Sequence, residues 1–177
     1  MNEVIKKNGI TGGILLGVIS VLITTLVYAF DMELFASFKL MGVLIVINIV
    51  FYCVLLSKTK KQLNNEFTFK QAFTTFFITA VISMAISTVY NFLLFNVIDP
   101  AAKETLRDIT IKASREMMER FGAPEAEVEK ALNDLRETDN YSIVSLIKGY
   151  FIGLAINSIF GLILALIFKS RKPAYRE

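Results

Sequence analysis

Histidine and tryptophan are absent from the chain, and cysteine occurs once, at Cys53. Without histidine, no Ser-His or Cys-His pair can form, and no imidazole can hold zinc or haem. One cysteine closes no intrachain disulfide, which excludes a disulfide-stapled secreted domain. Charged residues make up only 20% of the chain, and the net charge of +3 is not a nucleic-acid footprint. Charge is missing in blocks. Uncharged runs of 23, 18, 28 and 20 residues lie between Lys7 and Asp31, Lys39 and Lys58, Lys70 and Asp99, and Lys148 and Lys169. With 54% hydrophobic residues gathered mainly in these runs, an ordinary soluble enzyme and a disordered chain are both excluded.

A helix needs about 20 apolar residues to cross roughly 30 Å of hydrocarbon. Lipid offers no partner to a free N–H or C=O group, so each run is expected to be an α-helix. The fold expected is all-α: a polytopic membrane protein of one domain over 1–177, with spans at about 9–30, 40–57, 72–95 and 145–168. A soluble bundle would show charged stripes along its helices, and none is present. The third run is longer than a crossing needs, so it is expected to tilt or to begin as an interfacial turn around Phe67–Phe73. A cleaved signal peptide is the alternative for the first run, with Lys6 and Lys7 ahead of it and Val27-Tyr28-Ala29 as a small-x-small site. Its apolar stretch is too long for that, and a retained helix is expected.

Orientation follows from the cations. Lys6, Lys7, Lys58, Lys60, Lys61, Lys70, Lys169, Arg171, Lys172 and Arg176 would share one side. The short loop 31–39 opposite has only Lys39, beside Asp31 and Glu33. The positive-inside rule places both termini in the cytoplasm of a cell bounded by an inner membrane. Segment 99–148 then faces outward, with eight Lys/Arg against eleven Asp/Glu. Asp99-Pro100 reads as a helix start. Leu106, Ile109, Ala113, Met117 and Phe121 recur on one helical face. Gly122 would end that helix and Pro124 open a second, striped by Val128, Ala131, Leu132 and Leu135. Residues 99–138 are therefore expected to form an amphipathic helical hairpin between the third and fourth spans. It serves either as a solvated connector or as a docking element for a partner.

Helices associate in lipid by close backbone approach and interhelical hydrogen bonds. Gly9, Gly13 and Gly17 form a file on the first span, and Thr75, Thr79, Ser83, Ser87 and Asn91 form another on the third. Gly149, Gly153, Asn157, Gly161 and Ala165 form one on the fourth. These files are the expected packing faces, whether within one bundle or between two copies. Asn48, Asn91 and Asn157 are the notable polar residues inside the spans. Interhelical hydrogen bonding is their first expected role, and lining a small polar cavity the second. No Asp, Glu, Lys or Arg lies well inside a span, which argues against coupled proton or ion transport. Val27-Tyr28-x-Phe30 against Val89-Tyr90-x-Phe92, and Ile47-Asn48 against Ile156-Asn157, suggest two parallel hairpin repeats.

The segment Asn65-Glu66-Phe67-Thr68-Phe69-Lys70-Gln71-Ala72-Phe73 leads into a small-residue-rich span ending Val89-Tyr90-Asn91-Phe92. It resembles a family of uncharacterised four-span bacterial membrane proteins, a domain-of-unknown-function group. The resemblance also covers the basic loop, the polar helical insert and the basic tail, with Asn64-Asn65 where the family has a Gly-rich turn. It implies no activity, cofactor or catalytic residue. From the residues alone, Phe67, Phe69 and Phe73 read as an interfacial anchor, with Lys70 snorkelling. No catalytic, cofactor or metal site is expected, and no nucleic-acid partner. The function expected is a non-enzymatic interaction, assembly or accessory role in the bilayer, with a second copy or another membrane protein as partner. The alternative is a small transporter or channel subunit using the polar faces of the third and fourth spans.

Overall fold

The computed structural model describes residues 2–170, so the tail cations Arg171, Lys172 and Arg176 lie outside the described residues. Every regular element among the described residues is helical. Four helices are long and apolar enough to cross a membrane. They are α1 (Glu3–Phe30), α2 (Phe38–Gln62), α3 (Phe69–Leu93) and α6 (Ile143–Phe168). A 3₁₀ turn, Met32–Ala36, joins α1 to α2, and a π-helical turn, Leu94–Ile98, extends α3. Two polar helices follow, α4 (Ala102–Arg120) and α5 (Glu125–Glu137).

Local chemistry sets these boundaries. Asn2 caps α1 by accepting from the Val4 N–H. At the start of α3, Thr68 and Gln71 form a reciprocal capping box. Helix α2 runs past Lys58 and ends at a left-handed Asn64, φ 52°, with the Asn65 N–H donating back to the Lys60 carbonyl. Asparagine tolerates this conformation because its short amide bonds locally. Gly122, φ 72°, ends α4 in the same way, as its position predicts. The Gly122 and Ala123 N–H groups return to Glu119 and Met118. The start of α4 differs from expectation by two residues. Asp99 accepts the Ala102 N–H, so Pro100 and Ala101 form a lead-in turn rather than the first helical positions.

Helix α3 is the hub of the bundle: α1 packs along it on one side and α6 on another. The α1–α3 seam is the tightest contact. A Cβ added at Gly9, Gly13 or Gly17 would fall within 2.9, 2.7 and 2.9 Å of the Cβ atoms of Ile78, Ile82 and Ile86. The partner file on α3 is thus isoleucine, one position removed from the Thr/Ser file. Gly12, not singled out by its spacing, also faces the seam, against Leu55 and Thr79. Thr79 Oγ1 shares its hydrogen between the Thr75 carbonyl of its own helix, at 2.9 Å, and the Gly9 carbonyl across the seam, at 3.1 Å. The two sequence hairpins do not pack alike, because α3 lies extensively on α6 whereas α1 touches α2 lightly.

The expected anchor splits. Phe67 is 1% exposed and packs with Leu56, Ala72 and Ala165, so it plugs the bundle end rather than sitting among headgroups. Its N–H donates to Ser170 Oγ at 2.9 Å and its carbonyl accepts the Ser170 N–H at 2.7 Å, which ties α6's end to the start of α3. Phe69 and Lys70 are exposed, and Phe69, half-buried Phe73 and Phe77 stack in a row along α3. At the same end, the Asn8 amide donates to Thr59 Oγ1 and Gln62 Oε1, joining α1 to α2.

Candidate functional site: a polar cavity among the spans

Helix α2 buries only Tyr52, Leu55, Leu56 and Thr59, all in its second half. Helix α6 buries only Gly161 and Ala165, also toward its second half. Both helices therefore bury most at the lysine-rich end; toward the other end α6 stays against α3, with Tyr150 Oη donating to the Val81 carbonyl at 3.3 Å, while α2 and α6 part from each other. The wedge between them is a cavity of about 430 Å³. Helix α3 supplies its floor, with Ser83, Ser87 and Asn91; α2 contributes Asn48 and Tyr52; α6 contributes Gly149, Tyr150 and Asn157. Its lining holds no Asp, Glu, Lys or Arg.

Divergence divides each small-residue file into two jobs. On α3, Thr75 and Thr79 are fully buried, whereas Ser87 and Asn91 face the cavity. Ser83 sits at the changeover, 5% exposed yet part of the lining. On α6, a Cβ at Gly161 would strike the Phe76 ring, and one at Gly153 would meet the Met84 Cε at 2.7 Å. Gly149 meets nothing within 4 Å, because it faces the cavity. Its expected packing role gives way to cavity lining.

Asparagine chemistry follows the same geometry. Asn48 Nδ2 donates to the Leu44 carbonyl of its own helix at 2.8 Å. Asn157 Nδ2 donates to its own Gly153 carbonyl at 3.0 Å and reaches Met84 Sδ at 3.8 Å. Asn48 therefore bonds only within its own helix, whereas Asn157 adds one long interhelical contact, to Met84 on α3, so the first expected role is met weakly and by Asn157 alone. All three asparagines line the cavity, the second role considered. Intrahelical back-bonding occupies one face of each amide and leaves hydrogen-bonding capacity over.

Beyond the open end lies a polar and aromatic cluster. Phe95 is buried against Tyr28, Phe35 and Tyr141, with Leu94, Ala102 and Leu106 around it. Tyr28 donates to Asp99 at 2.7 Å. Lys103 Nζ donates to Asn96 Oδ1 and Asp139 Oδ2, both at 3.2 Å, while Asn96 Nδ2 donates to the Tyr141 carbonyl. Partial burial pushes the Asp139 carboxyl up, but bonds from the Tyr141 N–H and Lys103, with the charges of Lys103 and Arg107, outweigh it and hold the carboxyl below its usual value. Burial pushes the Tyr141 phenol up. Farther out, Arg115 bridges Glu119 on α4 to Glu125 and Glu129 on α5. Val128 and Leu132 of α5 are fully buried, as their stripe predicts. Phe121 instead ends 82% exposed, with Met117 exposed beside it, because the chain turns back at Gly122 before α5 can cover them.

Among the described residues, no group of three or more Cys, Asp or Glu side chains is placed to hold a metal ion. Four long apolar helices, one of them the hub on which the others pack, define an all-helical membrane protein. The chain belongs to the family described as "Protein of unknown function (DUF4199)", whose family model matches residues 11–170. No curated protein and no solved structure matches the chain.

Proposed function

We propose that this chain is a non-enzymatic interaction, assembly or accessory component of a bacterial inner membrane. Both termini are cytoplasmic, and α4 and α5 form a hairpin on the outer side. The orientation rests on the lysines at the end shared by residue 6, residues 58–70 and Lys169. One observation carries the reading: the hairpin is fastened to the bundle rather than tethered loosely. Lys103, Asn96, Asp139 and the Phe95 cluster fix its base, Arg115 fixes its two helices together, and exposed Phe121 and Met117 stand at its tip. A rigid stalk ending in an exposed aromatic would offer a partner a contact that needs little ordering on binding.

Crosslinking in intact cells, followed by purification, tests this. A discrete adduct with a second protein or a second copy is expected for the native chain and is lost in Met117→Ser/Phe121→Ser. An adduct indifferent to the tip, or none at all, contradicts the reading. A second reading, a small transporter or channel subunit, is favoured by the polar wedge. Four helices scarcely enclose a pore, so that reading requires a stable oligomer in native micelles.

A further inference from the structure

Depth makes the wedge unusual. Asn48 lies ten residues from both Phe38 and Lys58, which puts it about 15 Å along the helix from either end, near the middle of a span. It is nonetheless exposed. An uncovered amide at mid-membrane depth costs on the order of 1–3 kcal/mol unless a partner meets it. Among the described residues, Asn48 Oδ1 and Asn157 Oδ1 receive no protein donor. Serine hydroxyls at 83 and 87 and the Asn91 amide converge on the same space from α3.

We propose that the wedge is a binding site for an uncharged, hydroxyl-bearing head of the glycerol type, with its tail lying along the lipid-facing sides of α2 and α6. Size and chemistry both point there. Its volume falls within the range of roughly 300–1,000 Å³ common to small-molecule pockets. The lining mixes hydroxyl and amide groups that donate and accept, which suits a polyol. A phosphate, carboxylate or ammonium would be desolvated with no opposite charge to meet it. The slot opens between α2 and α6, which carry exposed apolar side chains such as Ile47, Val50, Ile152 and Ile156. The same chemistry could arrive as the head of a membrane diacylglycerol or as a free polyol. This inference uses the cavity of the transporter reading but asks only for binding. Binding without flux would sink transport alone.

Native mass spectrometry of the full-length protein, released from phosphatidylcholine nanodiscs doped with diacylglycerol or, separately, with phosphatidic acid, tests the site. Diacylglycerol adducts should exceed phosphatidic acid adducts by about tenfold, which corresponds to about 1.4 kcal/mol. Asn48→Leu, at an exposed position, should cut them by a similar factor; Ser87→Val reads the same site from α3, and heat stability recorded for both separates loss of binding from loss of folding. Equilibrium dialysis with labelled glycerol separates the sources. Glycerol bound, and lost in Asn48→Leu, with no lipid adduct keeps the chemistry but makes the ligand a solute. Lipid adducts unmoved by excess glycerol assign it to the bilayer. Equal retention of phosphatidic acid, no retention of either probe, or full retention by both variants overturns the proposal.

Discussion

Replacing Gly13 by alanine probes the seam on which the bundle is built. The new Cβ would stand 2.7 Å from Ile82 Cβ and 3.0 Å from the Thr79 carbonyl oxygen. Carbon pairs prefer about 3.5–4.0 Å, so α1 and α3 must part by roughly 1 Å. That separation stretches the 3.1 Å bond from Thr79 Oγ1 to the Gly9 carbonyl beyond useful range. The lost bond costs about 1 kcal/mol, and overpacking costs about 1–3 kcal/mol more. Alanine's higher helix propensity returns about 1 kcal/mol, which offsets the hydrogen bond but not the overpacking. A net loss of about 1–3 kcal/mol remains. Heating detergent-solubilised protein and measuring the surviving monodisperse fraction by size exclusion reads this directly. Gly149→Ala and Gly42→Ala are the controls, because nothing lies within 4 Å of either added Cβ. They should match or exceed the native midpoint, while Gly13→Ala falls below it. If Gly13→Ala survives heating as well as Gly149→Ala does, the close-approach argument is refuted.

The same assay separates two glycines on α6. Gly161→Ala should be clearly destabilising because it meets the buried Phe76 ring, whereas Gly153→Ala should cost less because the Met84 Cε it meets can swing aside. Thr68→Ala removes the capping box of α3 and should cost about 1 kcal/mol, with faster amide exchange at residues 69–71 as the local signature. Arg115→Ala should speed limited proteolysis around Gly122 by no more than several-fold, since exposed ion pairs contribute below about 1 kcal/mol. The native chain should also approach that rate at high salt. Asp139 is held below its ordinary value of about 3.8, so its stabilising contribution is complete above that pH. It is lost as pH falls through the depressed folded value. Asp139→Asn should therefore narrow the difference in heat stability between pH 6 and pH 3, and an unchanged difference would show that the pair does not anchor the hairpin.

The four long apolar helices were legible because uncharged length is itself the signal. So were Gly122 and the Val128–Leu132 stripe, where one residue type meets one local geometry. The glycine file on α1 was readable too, but its partner was not. Ile78, Ile82 and Ile86 look like any lipid-facing isoleucines until α1 is laid on them. Small polar residues were ambiguous for a deeper reason. Serine, threonine and asparagine suit a tight seam and a polar cavity equally well, and only the divergence of α2 and α6 separates Thr79 from Ser87, or Gly161 from Gly149. Phe67 misled because an aromatic beside a lysine near a span end suits either an anchor or a plug. The bond between its backbone and Ser170, 103 residues away, decides it, and no local pattern carries that information.

Sidedness of the chain tests the central claim, four crossings with the termini on one side and α4–α5 on the other. Single cysteines introduced as Ser114→Cys, Asn133→Cys and Asn65→Cys in a Cys53→Ser background, treated with a membrane-impermeant maleimide in intact cells, measure it. Labelling at 114 and 133 before lysis, and at 65 only after lysis, is the predicted result. Labelling at 65 in intact cells, or at 114 and 133 only after lysis, would contradict the account.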